Sequence, residues 1–365
     1  MPLEHLQEYA AKRNKEFTVI RKGSDSVTYT HVSTGVFIVD FALMGGIPEN
    51  AVTTLVGYQH SGKTTLAYKI IGEFQRKYDG SSPERPKKYC VFVDVERGFN
   101  DVWAKANGVD IDELYVIHPT NAEEAVDYAA EAMEDDDVCL VVFDSIPALV
   151  GGKELEKSAE DHPGIGGVAM HANRMMRKVS HAIAKAYNTG QKRTMICINQ
   201  WRVGISTGPT PAARTMPGGK YVRHYASVEI EIFNPDKDRK YAHDENGVQV
   251  ADFNVHVFKI HKNRTGSSIA EGEFKLIRNS ANPLGLGAID DAFTITTYAQ
   301  KMGIVGGAGQ GWWFADPETG EIEKFKKKSD IEEKIRDDAI LKKKVSHRVL
   351  SIYRKSKGMT EHGWW

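Results

Sequence analysis

Strand–helix alternation over most of its length predicts that this 365-residue chain is an α/β protein, with a mostly parallel twisted sheet flanked by helices. Two observations carry the prediction. Short apolar runs at 52–56, 88–95, 138–143 and 193–199 read as buried strands, and amphipathic runs at 64–77, 122–133 and 174–187 read as the helices between them. A glycine-rich turn at 57–62 joins the first of these strands to the first of these helices.

In chain order, residues 2–15 place Leu3, Leu6, Tyr9 and Ala10 at helical spacing. The runs 17–20 and 27–30 favour strand. Helix and strand together form a short arm, 1–32, too small to bury a core alone, so it is expected to dock on another surface. The core follows over 33–280. Three stretches interrupt its rhythm. Segment 79–88 is polar with two prolines and reads as a surface excursion, whereas 157–167 and 204–219 are rich in Gly, Pro, Ser and Thr. The region 281–365 is expected to be a small α-rich domain with a basic helical end: 321–365 holds 13 Lys/Arg against 8 Asp/Glu, and 341–357 holds no acid.

Composition narrows the class. The chain is 41% hydrophobic and 27% charged with net charge −1, so overall charge does not select nucleic acid. No apolar run reaches the roughly 18 residues of a membrane helix, and the charged start has no signal-type apolar segment. A cytoplasmic protein with no membrane partner is expected. Cys90, Cys139 and Cys197 each lie in an apolar run and read as reduced core residues, with no zinc or redox spacing.

The turn spells Gly57-Tyr58-Gln59-His60-Ser61-Gly62-Lys63-Thr64, followed by Thr65: the pattern G-x-x-x-x-G-K-[ST] between a strand and a helix. Backbone N–H groups of such a loop point at phosphates, Lys63 would bridge the β- and γ-phosphates of ATP, and Thr64 would offer a hydroxyl to Mg²⁺. The metal shell needs a further carboxylate. Asp144, at the end of Leu140-Val141-Val142-Phe143, is in place for it, although an Asp there also suits a helix N-cap. Hydrolysis needs a group that orients water. Glu96, just past the strand Val91-Phe92-Val93-Asp94-Val95, is the first choice, with Asp94 as rival. Gln200 ends the fourth strand, where a polar side chain could sense the γ-phosphate.

Several motifs together resemble the bacterial RecA family. Ser33-Thr34-Gly35, Asp40-Phe41-Ala42-Leu43 and Gly45-Gly46-Ile47-Pro48 precede the phosphate loop as they do in that family. Phe92-Val93-Asp94-Val95-Glu96, Val142-Phe143-Asp144-Ser145, Ile198-Asn199-Gln200-Trp201-Arg202, and Gly218-Gly219 followed by Tyr225-Ala226-Ser227-Val228 continue the match in order over about 33–275. The resemblance implies a RecA-type ATPase core, ATP and Mg²⁺ as cofactors, DNA-dependent ATP hydrolysis and strand exchange. Partners would be single-stranded DNA, homologous duplex DNA, further copies in a helical homo-filament, and single-strand-binding and loading proteins.

Residue by residue, the resemblance makes Glu96 the activator of water and Gln200 the ATP sensor. Trp103 takes the place of an aromatic stacked on adenine, or else is a core Trp. Lys262-Asn263-Arg264 resembles the Lys-Asn-Lys that reaches a neighbouring subunit's ATP, with a solvated strand end as the alternative. Segments 157–167 and 201–218 look like the two DNA-binding loops, with Ile165 and either Val203 or Ile205 as wedges and Arg177, Arg202 and Arg214 on phosphates.

The chain also departs from the family. Tyr-Gln-His stands inside the loop where bacterial RecA has Pro-Glu-Ser, Arg264 replaces a Lys, and Tyr221 and His224 replace apolar interface residues. The long acidic tail is missing, and the sequence ends Gly363-Trp364-Trp365. Such divergence looks like a phage recombinase. A ring helicase-type motor on the same fold is the alternative, and only 32 residues precede the core for the extra domain that motor carries. A nucleotide-gated structural filament is a third reading, against which Glu96 stands.

Overall fold

The computed structural model describes residues 4–13, 29–155, 167–203, 214–235, 240–266, 271–309 and 311–358. The predicted strand at 17–20, the first half of the one at 27–30 and the terminal Gly363-Trp364-Trp365 lie outside them, while Tyr29 and Thr30 are described and are not in a strand. Helix α1 (Glu4–Arg13) exposes Leu6 and Tyr9, the apolar side chains the sequence placed on one face. Strands β1 (His31–Val32) and β2 (Ile47–Pro48) pair antiparallel around the buried helix α2 (Phe37–Ala42).

The alternating core follows. Strand β3 (Val52–Gly57) leads through the glycine loop into α3 (Lys63–Lys77), and β4 (Tyr89–Asp94), α4 (Asp101–Ala106) and β5 (Leu114–Ile117) come next. Then come α5 (Ala122–Glu134), β6 (Val138–Asp144), the short α6 (Gly152–Leu155), the long α7 (Gly167–Thr189) and β7 (Thr194–Gln200). Strands β8 (Arg202–Val203) and β9 (Arg214–Thr215) pair with each other, and α8 (Gly219–Tyr225) leads into β10 (Val228–Phe233). Strands β11 (Lys240–His243), β12 (Gln249–Asn263), β13 (Glu271–Ile277) and β14 (Ile289–Asp290) complete the sheet.

The sheet order is β14-β13-β12-β10-β3-β7-β6-β4-β5, with β11 on β12. From β10 to β5 every pairing is parallel, and from β10 outward through β12, β13 and β14 it is antiparallel. The parallel strands are mostly apolar because both faces are covered, with the buried Thr53 and Thr54 of β3 and Glu229 and Glu231 of β10 among the exceptions. One face takes Leu66, Ile70, Ile71 and Phe74 of α3. The other takes Val126 and Ala129 of α5 with Met175, Met176 and Val179 of α7. This is the mostly parallel α/β core that the sequence predicts, with an antiparallel wing.

The C-terminal region holds α9 (Ala292–Lys301), a three-stranded antiparallel sheet of β15 (Val305–Ala308), β16 (Gly311–Ala315) and β17 (Ile322–Phe325), then α10 (Lys328–Asp337) and α11 (Ala339–Ser356). The small sheet was not foreseen in a region read as helical. Its hairpin depends on Gly307 at φ 124, where a Cβ would lie 2.1 Å from the Gly311 carbonyl oxygen. This region does not build its core alone. Phe37 and Phe41 of α2 enter the same apolar cluster as Ile295, Ile331, Val345 and Val349. The Arg354 side chain of α11, 1% exposed, donates to the Met44 carbonyl just past α2. Among the described residues, no helix is long and apolar enough to cross a membrane.

Candidate nucleotide site

The carboxyl ends of β3, β7, β6 and β4 meet on one edge of the sheet, the position at which open α/β sheets bind ligands. An open cavity of about 410 Å³ lies there. It is lined by Gln59, His60, Ser61, Gly62, Lys63, Thr64 and Thr65 of the loop and by Glu96, Asp144 and Gln200 from the strand ends. Gly57 and Tyr58 form the strand end and first turn of the loop.

Gly62 starts α3 at φ 99, and a Cβ on it would lie 2.7 Å from the His256 ring, so only glycine lets the loop pass. The His256 Nδ1 lies 2.9 Å from the Ser61 carbonyl oxygen, and the ring stacks on Phe274. Lys63 Nζ donates to the Tyr58 carbonyl at 2.7 Å and stands 3.5 Å from Ser61 Oγ. Burial pulls its ammonium below the ordinary lysine value, opposed by the nearby Asp144 and Glu96 charges.

Thr64 Oγ1 donates to Asp144 Oδ2 at 2.9 Å. Burial pushes the Asp144 carboxyl up to about 7, reinforced by Glu96 and Asp94 and opposed by the Thr64 hydrogen bond. A hydroxyl beside a buried carboxylate is a hard-oxygen pair that suits Mg²⁺. Strand pairing sets the next carboxylate in place: the Val95 N–H donates to the Asp144 carbonyl at 2.7 Å, which carries Glu96 to the cavity edge. Glu96 Oε1 accepts from Gln200 Nε2 at 2.9 Å and from Ser145 Oγ. Asp94 is spent otherwise. At 1% exposure it accepts from the Gly98 and Phe99 N–H groups at 2.9 and 3.0 Å and so holds the turn after β4.

The far wall shows what sequence reasoning missed. Asn254 and His256, two apart on β12, share a face that lines the cavity with Asn234 and Arg278. The period-2 alternation of 250–260 was the signal available. Trp103 donates from Nε1 to Thr65 Oγ1 at 3.0 Å, and the Arg278 guanidinium lies 4.4 Å from its ring centroid. Trp103 also packs against the α3-side core and is not among the residues that line the cavity.

Other predicted residues stand elsewhere. Lys262 and Arg264 are not among the cavity-lining residues. Lys262 Nζ donates to the Arg223 and His224 carbonyls at 2.6 and 3.2 Å, capping the end of α8, and Arg264 is exposed. Arg202 and Arg214 lie on β8 and β9, whose pairing closes the base of segment 204–213, with Val203 opposite Arg214. Arg177 lies in the middle of α7, exposed, beside Ala130 and Glu134 of α5. Ile165 and Ile205 lie outside the described residues.

A glycine loop, a hydroxyl–carboxylate pair and a glutamate meeting where parallel strands end mark the class, a P-loop nucleotide-binding protein. Comparison with known proteins narrows it. Residues 5–281 match the RecA N-terminal domain family. The RecA protein of Chlorobium chlorochromatii is 29% identical over 340 residues, spanning 92% of this chain and 86% of that protein. That of Clostridium acetobutylicum is 30% identical over 326 residues, 86% of this chain and 84% of its own. That of Roseiflexus castenholzii is 30% identical over 310 residues, 83% and 78%. This chain belongs to the RecA family of recombinases.

Proposed function

We propose that this chain is an ATP-dependent homologous recombinase. It assembles as a helical filament on single-stranded DNA, pairs that strand with a homologous duplex and exchanges strands, with DNA-stimulated ATP hydrolysis. One observation carries the reading: on a chain of this family, Lys63, Thr64, Asp144, Glu96 and Gln200 converge on a single cavity.

The donor set fits ATP and Mg²⁺. Lys63 exchanges its contact with the Tyr58 carbonyl for the β- and γ-phosphates. Thr64 and Asp144 would hold Mg²⁺, which would supply positive charge to neutralise the phosphates. Glu96 orients the attacking water and takes its proton, and Gln200 leaves Glu96 to sense the γ-phosphate. Trp103 offers its ring to the base, with the Arg278 guanidinium 4.4 Å from the ring centroid.

Lys262 and Arg264, standing outside their own chain's cavity, serve the γ-phosphate of the next subunit in the filament. Segments 157–167 and 201–218 hold DNA, with Arg177, Arg202 and Arg214 on phosphates and Ile165 with Val203 or Ile205 between bases. The arm 1–32 mediates self-association, 33–280 is the ATPase core, and 281–365 is an accessory domain.

The test is the rate of phosphate release with and without single-stranded DNA, joined to negative-stain imaging. Stimulated hydrolysis and helical filaments are expected. Closed rings with an unstimulated rate would overturn the reading in favour of a ring motor.

A further inference from the structure

Strand β10 reads Val-Glu-Ile-Glu-Ile-Phe. Ile230 and Ile232 belong to the α3-side core, so Glu229 and Glu231 share the opposite face. Both carboxylates are buried, Glu231 to 3% exposure. A carboxylate at that depth costs several kcal/mol unless donors surround it. Glu229 has Arg223 of α8 at 3.1 Å. Glu231 has three partners. Its Oε1 accepts from Trp201 Nε1 at 2.7 Å, its Oε2 lies 2.5 Å from His261 Nε2, and Arg214 Nη1 stands 3.6 Å from Oε1.

Those partners come from three different places. Trp201 directly follows Gln200, whose amide holds Glu96, and the Trp201 N–H donates to the Gly57 carbonyl at the start of the phosphate loop at 3.2 Å. Arg214 stands at the other stem of segment 204–213, and its guanidinium also lies 5.3 Å from the Tyr58 ring centroid in the phosphate loop. His261 immediately precedes Lys262 on β12. We infer that Glu231 is a positioning residue that couples both stems of segment 201–218 to the phosphate loop and to the strand end carrying Lys262. The inference rests on the proposed reading of 201–218 as a DNA-binding segment.

The physical asymmetry among the three partners gives the coupling its direction. Trp201 and His261 hold Glu231 at hydrogen-bonding distance. Arg214 is half-exposed and held more loosely, shared between Glu231 and Tyr58. A DNA phosphate competes for the same guanidinium through charge-assisted hydrogen bonds. Drawing Arg214 outward frees Tyr58 and leaves the buried Glu231 charge dependent on Trp201 and His261, which stand next to Gln200 and Lys262. Both ligands thereby bias one arrangement, as reciprocal coupling between sites requires.

The experiment compares the full-length parent chain with Glu231→Gln, Trp201→Phe and the double variant, reading ATP hydrolysis with and without oligo(dT). Glu231→Gln keeps the shape and removes the charge. It is expected to retain the unstimulated rate and the KM for ATP while losing about tenfold of the stimulation by DNA. Trp201→Phe removes only the indole donor and is expected to lose stimulation as well. The double variant should lose no more than the worse single one, because both changes break the same contact. Parent-like stimulation in Glu231→Gln, or additive losses in the double variant, would overturn the inference. If Glu231→Gln does not fold, parent-like stimulation in Trp201→Phe overturns it alone. A parent chain that DNA does not stimulate at all sinks the functional reading first and this inference with it.

Discussion

At the carboxyl edge of β3, β6 and β4, the cavity-lining side chains are held by partners from the same chain: Thr64 on Asp144, Glu96 under Gln200, Lys63 on the Tyr58 carbonyl. At the far end of β12, Lys262 instead caps α8 and Arg264 is exposed, both away from that cavity. The first region is preorganised by its own strand register, with the Val95 N–H on the Asp144 carbonyl setting one carboxylate beside the other. The second presents cations with nothing of their own chain's nucleotide site to act on. Under the proposed reading, a second copy supplies the cations that the phosphate half lacks, and filament formation and hydrolysis would then be one event.

The sharpest way to break the comparison is to remove the built-in half. Lys63→Ala takes away the ammonium of the loop and is expected to cut ATP hydrolysis by about 10³-fold or more, with nucleotide binding lost in parallel. Phosphate release and equilibrium dialysis measure both. Near-parent turnover would mean that another cation holds the phosphates.

The outward half comes next. Lys262→Ala with Arg264→Ala should leave ATP binding intact, because the loop is untouched, yet reduce DNA-dependent hydrolysis by about 10²–10³-fold. Glu96→Gln should likewise bind ATP and fail to hydrolyse it, since the amide keeps the shape and loses the base. Mixing these two inactive proteins rebuilds some sites that pair an intact Glu96 with an intact neighbour's cations, so partial recovery of hydrolysis is expected. Mixed filaments that recover nothing across a range of ratios would return Lys262 to a capping role for α8.

A smaller effect probes the wall between them. Trp103 and Arg278 are assigned to the base rather than the phosphates, so Trp103→Ala or Arg278→Ala should raise the KM for ATP about tenfold and leave kcat within a factor of a few. A loss confined to kcat would place these residues in the chemistry.

That the phosphate loop, Asp144 and Glu96 would come together was legible in the sequence, because each follows a run of mostly apolar residues and a parallel sheet collects strand ends on one edge. The sequence put Glu96 ahead of Asp94 but could not show their surroundings: the following turn engages Asp94 through the Gly98 and Phe99 N–H groups, while Glu96 lines the cavity. His256 and Arg278 were hidden for a different reason: they come from the antiparallel wing, whose approach to the loop follows from sheet order and not from any local pattern. The small sheet of β15–β17 escaped notice because its strands are only four or five residues long and sit between helical stretches.

The smallest expected effect concerns the joint between the core and the C-terminal region, and it separates folding from chemistry. Asp40 lies buried on α2, whose Phe37 and Phe41 enter the C-terminal core. Its carboxylate accepts from Ser33 Oγ at 2.5 Å and from the Thr34 N–H and Oγ1, both at 2.7 Å. Burial outweighs these donors and pushes the carboxyl up to about 7. With the folded value raised above the unfolded one, the folded chain holds a proton that the unfolded chain has released. The stability this contributes is full below the ordinary aspartate range and is lost as pH rises through about 7. Asp144 has the same sign, so both groups tilt the parent's melting temperature downward between about pH 4 and about pH 7. Asp40→Asn removes one of the two and keeps the shape, its amide oxygen accepting from Thr34 and its NH₂ donating to Ser33 Oγ. The variant should show a shallower fall in melting temperature, by a few degrees over that range, and an unchanged hydrolysis rate per folded molecule. Thermal melts of both proteins in a pH series read the slope directly. Parallel curves would mean that Asp40 stays ionised throughout and that its three donors, not its burial, set its charge.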